Sequence, residues 1–186
     1  MRPMSDKEQK AKEKKQQALA LDLQSKDEKK IKAALGRTEE LGDASHIRPL
    51  LMAFRDLADG RLKEDLRETL STIKLSDAES IYMDALEEED FQSIYGDILA
   101  FTWNAGFQPV DSVDLITQRS LEGDYMTAVE GYTLLDSMNG PLEEESLLQA
   151  LVLVREFMLK HKEEGHPNYE LAISIFEVLS KHERDQ

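Results

Sequence analysis

The chain has 186 residues, of which 40% are hydrophobic and none is cysteine, and it carries a formal net charge of −15 at pH 7. This length and apolar content suit one globular domain or one short repeat array. The lack of cysteine excludes disulfides, thiolate metal sites and cysteine nucleophiles, and it fits a reducing compartment.

The charge is divided unevenly along the chain. Residues 1–37 hold 11 Lys/Arg and 6 Asp/Glu, a balance of +5, which leaves 12 against 32, a balance of −20, for residues 38–186. Because nucleic-acid affinity depends on Lys and Arg displacing counterions from phosphates, the acidic body predicts no nucleic-acid binding. The sequence begins with charged residues where a signal peptide needs an apolar segment, and its most apolar run, 147–154, is far too short for a membrane span. We therefore expect a cytoplasmic protein that does not engage a membrane.

Residues 1–25 are predicted to form a charged, basic N-terminal helix in front of a helical domain at 26–186. Only Leu19, Leu21 and Leu23 are large and apolar there. Good helix propensity with little surface to bury favours a mobile helix. Two placements stay open: a solvated leader, or a helix whose cations lie against the acidic body of this chain or of another copy.

Apolar residues at helical spacing continue through the rest of the chain, and turn signals interrupt them at regular intervals. Between residues 27 and 90 a helix–turn–helix pattern occurs twice. Predicted turns within the units lie 33, 31 and 34 residues apart, at Gly42, Leu75, Gly106 and Gly140. Turns between the units lie 30, 33 and 42 residues apart, at Gly60, Asp90, Gly123 and Gly165. A period near 30 to 34 residues is typical of α-solenoids, and the interval of 42 accommodates a longer helix after Pro141.

The tract from Ala33 to Phe54, AALGRTEELGDASHIRPLLMAF, resembles HEAT repeats of the short bacterial kind, and Asp65–Leu86 is a weaker match. Two later tracts, beginning at Gly123 and Asn168, are similar to the second helix of tetratricopeptide repeats. The HEAT resemblance is clearest over residues 27–90. It implies an all-α fold, a right-handed α-α superhelix of about four helical pairs plus a terminal helix, with the second helices near 44–58, 77–89, 109–121 and 142–162 lining a concave face.

The same resemblance implies a protein-binding scaffold or adaptor, and the acidic surface suits a basic protein or peptide partner. The alternative is an accessory or regulatory subunit that docks to an enzyme complex through its C-terminal helix. An enzyme is less favoured, because the HEAT-like alkylpurine DNA glycosylases need a basic groove. The sequence holds no nucleotide-binding, zinc-protease or nucleophile-elbow motif, so we predict no catalytic, cofactor-binding or metal-ligating residue and no cofactor.

The C-terminal helix carries a second apolar stripe, formed by Leu171, Ile175 and Val178, beside its ordinary core stripe. The terminal element of a repeat array should present a polar outer face. Either this helix nests between both helices of the preceding unit, or a second chain or the N-terminal segment covers the stripe. We take the three residues as candidate partner contacts, with a homo-oligomer as one form of that contact.

Three local features are predicted to be structural. Trp103 should pack in the core, and His161 and His166 should complement the carbonyl dipole at a helix end. The acidic runs 87–90 and 143–145 should stabilise helix N-termini.

Overall fold

The computed structural model describes residues 6–41, 43–163 and 165–185. Every regular element in these ranges is helical, which confirms the all-α class predicted from the sequence. The α-helices in chain order are α1 Asp6–Leu23, α2 Glu28–Leu41, α3 Ile47–Asp56, α4 Arg61–Thr72, α5 Ala78–Glu87, α6 Tyr95–Ala105, α7 Val113–Glu122, α8 Tyr125–Ser137, α9 Glu144–His161 and α10 Tyr169–Asp185. Short 3₁₀ helices at Ala44–His46 and Glu89–Ile94 precede α3 and α6.

The chain divides into two compact units, the first ending at Ala78 and the second beginning at Glu79. In the first unit α1 packs on α2 and α3, and α4 packs on α2 and α3. Leu19 and Leu23 have almost no exposed surface, so α1 contributes to the core of this unit. An ion pair between Arg37 and Asp22 also joins α1 to α2. The sequence placed a boundary after residue 25, whereas the structure groups α1 with the helices that follow it.

In the second unit each of the helices α6 to α10 packs on at least one neighbour in sequence and on a helix next but one. The helix pairs in contact are α6–α7, α6–α8, α7–α8, α7–α9, α8–α10 and α9–α10. Tyr82 of α5 packs against Phe101 and Phe107, with ring centroids 6.2 and 6.1 Å apart. Burial raises the pKa of the Tyr82 hydroxyl. The apolar faces of these helices therefore meet in one layered core.

Local sequence explains where the helices of the second unit begin and end. α6 ends at Gly106, whose φ of 75° lies in the left-handed region that glycine adopts without strain. α9 follows Pro141, and the Glu143 carboxylate accepts a hydrogen bond from the Ser146 N–H at 2.7 Å. Acids in the first turn of α9 and Lys160 and His161 in its last turn complement the helix dipole.

Most predicted turns lie where the chain leaves a helix, and two predictions need comment. The turn at Gly42 lies outside the described residues. The turn predicted at Asp90 lies within the 3₁₀ helix Glu89–Ile94, and regular α-helix begins only at Tyr95. Within the described ranges, no helix has both the length and the apolar character required to cross a membrane.

Candidate functional site

A polar cleft of about 600 Å³ opens on the second unit, where the end of α5, the second 3₁₀ helix and the start of α6 meet the junction between α7 and α8. Packing brings these segments together from two parts of the sequence, residues 87–96 and 119–127. The residues lining the cleft are Glu87, Glu89, Gln92, Ser93, Tyr95, Gly96, Arg119, Glu122, Gly123, Asp124 and Thr127. Four of them are carboxylates and one is a cation.

Arg119 is held by the wall of the cleft. Its Nε donates a hydrogen bond to the Leu86 carbonyl at 2.7 Å, and its Nη1 lies 3.1 Å from Glu122 Oε2. The guanidinium also sits 5.0 Å from the centroid of the Tyr95 ring, within the range of a cation–π contact. These contacts engage the Nε and Nη1 nitrogens of Arg119 and pair its charge with that of Glu122.

Tyr95 links α6 to the end of α5. It is buried, and its hydroxyl donates a hydrogen bond to the Glu88 carbonyl at 2.9 Å. Burial raises the pKa of this hydroxyl; the Arg119 guanidinium opposes that rise, and the carboxylates of Glu89, Glu122 and Glu88 add to it.

Glu87 and Glu89 stand exposed at the mouth of the cleft. Among the residues that the structure describes, no ion pair or hydrogen bond occupies either carboxylate. Asp124 is also exposed, and it caps α8 by accepting the Thr127 N–H at 2.8 Å. That backbone hydrogen bond, with a second from the Thr127 side chain and one from the Met126 N–H, lowers the pKa of Asp124, which keeps the cap charged at neutral pH.

Two glycines allow the floor of the cleft to close around Thr127. A Cβ on Gly123 would lie 2.5 Å from Thr127 Cγ2, and a Cβ on Gly96 would lie 2.9 Å from Thr127 Oγ1. A side chain at either position would push Thr127 away from the junction. The exposed carboxylates of the cleft can accept a Lys or Arg side chain.

A second cleft, of about 590 Å³, lies in the first unit. Its lining mixes Lys32 and Lys74 with Asp65 and Glu68, so it has no strong preference for either sign of charge. In the part of the chain that the structure covers, no group of three or more His, Asp or Glu side chains is arranged to hold a metal ion.

The candidate partner contacts predicted in the C-terminal helix lie on α10. Ile175 has no exposed surface, and Leu171 and Val178 are half-buried. The reason is that α10 packs on both α8 and α9, which is the nested arrangement that the sequence left open. That these three residues contact a partner stays a prediction.

The structure places the other singled-out residues as follows. Trp103 is half-buried, and its Nε1 donates a hydrogen bond to Glu130 Oε2 at 2.8 Å. The rings of His161 and His166 have centroids 4.5 Å apart at the end of α9, and Phe157 lies against both. Glu89 lies in the first turn of the second 3₁₀ helix, as predicted for this acidic run, and Glu87 and Glu89 also line the cleft.

Sequence reasoning missed an exposed apolar stripe on α9. Leu148, Val152 and Leu159 are 48%, 51% and 78% exposed. The sequence did contain a signal for this stripe. Leu148, Val152 and Leu159 recur at helical spacing beside the buried residues Leu147, Ala150, Leu151 and Val154. Two apolar stripes on one helix were recognised only in α10.

Comparison with protein-family models, with curated proteins and with solved structures finds no match to this chain.

Proposed function

We propose that this chain is a protein-binding adaptor that takes up a basic segment of its partner in the cleft between residues 87–96 and 119–127. The observation that carries the proposal is the imbalance of charge there: four carboxylates line the cleft, the single guanidinium is held by the wall, and Glu87 and Glu89 are exposed without a partner among the described residues.

The architecture we propose is a HEAT-like right-handed superhelix of helical pairs ending in α10. In support, each unit taken by itself shows helices packed on the next helix but one: α1 on α3 and α2 on α4 in the first, α6 on α8, α7 on α9 and α8 on α10 in the second. Stacked repeats produce this pattern, because every unit buries its apolar face on the preceding one. Arrays of this kind bind other proteins along their exposed faces.

Charge gives the adaptor its selectivity. An acidic cleft attracts a Lys- or Arg-rich segment before contact and repels an acidic one. Because exposed charges are screened by salt, binding should weaken as ionic strength rises.

The test is the affinity of a short Arg- and Lys-rich peptide, measured by fluorescence anisotropy at about 0.05 M and about 0.5 M NaCl. We expect E87Q/E89Q to weaken binding by about 3- to 10-fold at low salt, the effect of removing two rim charges. The matched control is D136N/E177Q, which removes two exposed carboxylates elsewhere on the second unit. Equal affinities of the two variants would refute the site, because the peptide would then respond only to the overall charge.

A second candidate function is an accessory subunit docked to an enzyme complex through α10. It is supported by the surface that Leu171 and Val178 leave accessible. An affinity pull-down with mass spectrometry at low and high salt separates the two functions. A partner lost at high salt and with E87Q/E89Q supports the adaptor, whereas one retained at high salt and lost with L171E/V178E supports the docked subunit.

A further inference from the structure

The exposed stripe on α9 is a row of apolar side chains along one side of the helix. Leu148, Val152 and Leu159 are separated by four and seven residues, so they lie along one side of the helix. Arg155 occupies the gap in this row, but its guanidinium sits 5.3 Å from the centroid of the Phe176 ring and is thereby directed towards α10. The aliphatic part of Arg155 thus completes the row.

One face of α9 is already covered. The helix packs on α7 and α10 through Leu147, Ala150, Leu151 and Val154, which are all buried. At 100° per residue, the exposed row lies about 120° around the helix from this buried face. Folding of the second unit therefore leaves the row accessible.

Charges at the two ends of α9 have opposite signs. Glu143, Glu144 and Glu145 lie at its N-terminus. Lys160 and Lys162 lie in its last turn and at its C-terminal boundary, where Glu163 follows and leaves that end a small positive balance; all six side chains are exposed. A helix laid antiparallel with the same charges would place acids against lysines at both ends. A parallel copy would place like charges together, and a partner with a single sign of charge would match only one end.

We propose that α9 mediates self-association of this chain, with the α9 helices of two copies antiparallel about a two-fold axis. Leu148 of one copy then lies opposite Leu159 of the other, Val152 opposite the stem of Arg155, and Glu145 near Lys162. Leu148 and Leu159 are separated by about 16 Å along the helix. In this register, Leu148 of each copy faces Leu159 of the other, so both leucine pairs are in contact. A two-fold interface of this kind is self-complementary and closes after two copies.

The contact is one helix wide, which places it at the small end of protein interfaces and predicts a dissociation constant in the micromolar range or above. The chain's charge of −15 opposes association, so the dimer should form best near physiological salt, where the Debye length is about 8 Å. This inference rests on α9 alone and does not depend on the proposed adaptor function.

Sedimentation analysis of the full chain from about 1 µM to about 1 mM tests the proposal. We expect a monomer–dimer equilibrium, and we expect L148E/L159E to raise the dissociation constant by about 100-fold or more, since each substitution acts twice in a two-fold interface. The matched control is L21E, which changes a leucine that is 70% exposed on α1 and should leave the equilibrium unchanged. Far-ultraviolet circular dichroism and Trp103 fluorescence establish that each variant is folded.

A wild-type chain that stays monomeric over this range, or that assembles beyond a dimer, overturns the proposal, as does an equal effect of L21E. The register is tested by cross-linking, because the chain contains no cysteine of its own. With a short bis-maleimide reagent, a mixture of L148C and L159C chains should cross-link at least about tenfold more than either variant alone. Preferential cross-linking of L148C to itself would overturn the antiparallel arrangement.

Discussion

Gly131 of α8 lies against Ser120 of α7. A Cβ on Gly131 would lie 1.7 Å from the Ser120 Oγ and 2.7 Å from its Cβ, and 3.6 Å from Leu99 Cδ1. Ser120 is fully buried, and its hydroxyl donates a hydrogen bond to the Ile116 carbonyl at 2.6 Å. Rotating the hydroxyl away relieves only the first clash, because the Ser120 Cβ moves only with its backbone.

Gly131→Ala should therefore destabilise the second unit. Overpacking of this kind costs about 1–3 kcal/mol, and loss of the Ser120 hydrogen bond costs about 1 kcal/mol more. Alanine recovers about 1 kcal/mol through its higher helix propensity. We expect a net loss of about 2 kcal/mol in the free energy of unfolding.

Urea denaturation followed by Trp103 fluorescence measures this loss, because the only tryptophan of the chain lies in the second unit. Ser120→Gly combined with Gly131→Ala should restore part of the stability by removing the obstructing atoms. Gly36→Ala is the matched control: nothing lies within 4 Å of the added Cβ, so only helix propensity acts and α2 should gain about 1 kcal/mol. If G131A were as stable as the wild-type chain, the close approach of α7 and α8 described above would be wrong.

Two further substitutions test the structure. Asp124→Ala should cost about 1 kcal/mol at neutral pH by removing the cap of α8, whereas Asp124→Asn should retain most of the stability. Hydrogen bonds hold the folded-state pKa of Asp124 below its ordinary value. The stability that the cap contributes is therefore fully present above the ordinary pKa and is lost as pH falls through the folded-state pKa. We expect the denaturation midpoints of the wild type and D124A to converge in acid. Leu23→Ala should cost about 2–5 kcal/mol, and Leu21→Ala about 0.5 kcal/mol or less, because Leu23 is buried and Leu21 is 70% exposed. Hydrogen exchange in α2 and α3 should rise in L23A only; equal exchange in both variants would mean that α1 does not pack on them.

Helix positions could be predicted from the sequence because apolar spacing and turn residues are local signals. The turns predicted at Gly106 and Gly123, for example, directly follow α6 and α7. The 3₁₀ helix at Glu89–Ile94 was missed, because Phe91 and Ile94 satisfy helical spacing in either geometry. Burial of Leu23 was missed as well, because its partners come from α2 and α3 and nothing in residues 1–25 identifies them.

The cleft lay beyond sequence reasoning for a different reason. Glu87 and Arg119 are more than thirty positions apart, and only the packing of helices brings their segments together. The run 87–90 reads as an ordinary acidic helix end, and Arg119 as one more surface cation. The apolar periodicity indicates which residues are buried. Which helices pack against each other determines which polar residues lie together in the cleft, and periodicity does not give that information.

Packing between helices that are neighbours or next but one in sequence has a consequence for how the protein is made. Within each unit, helices that contact each other are close in sequence, and such local contacts are associated with rapid folding. During translation, a helix of the second unit can bury its apolar face as soon as the helix after next has left the ribosome. The growing polypeptide thus exposes the apolar surface of only about two helices at a time, which limits its need for chaperones.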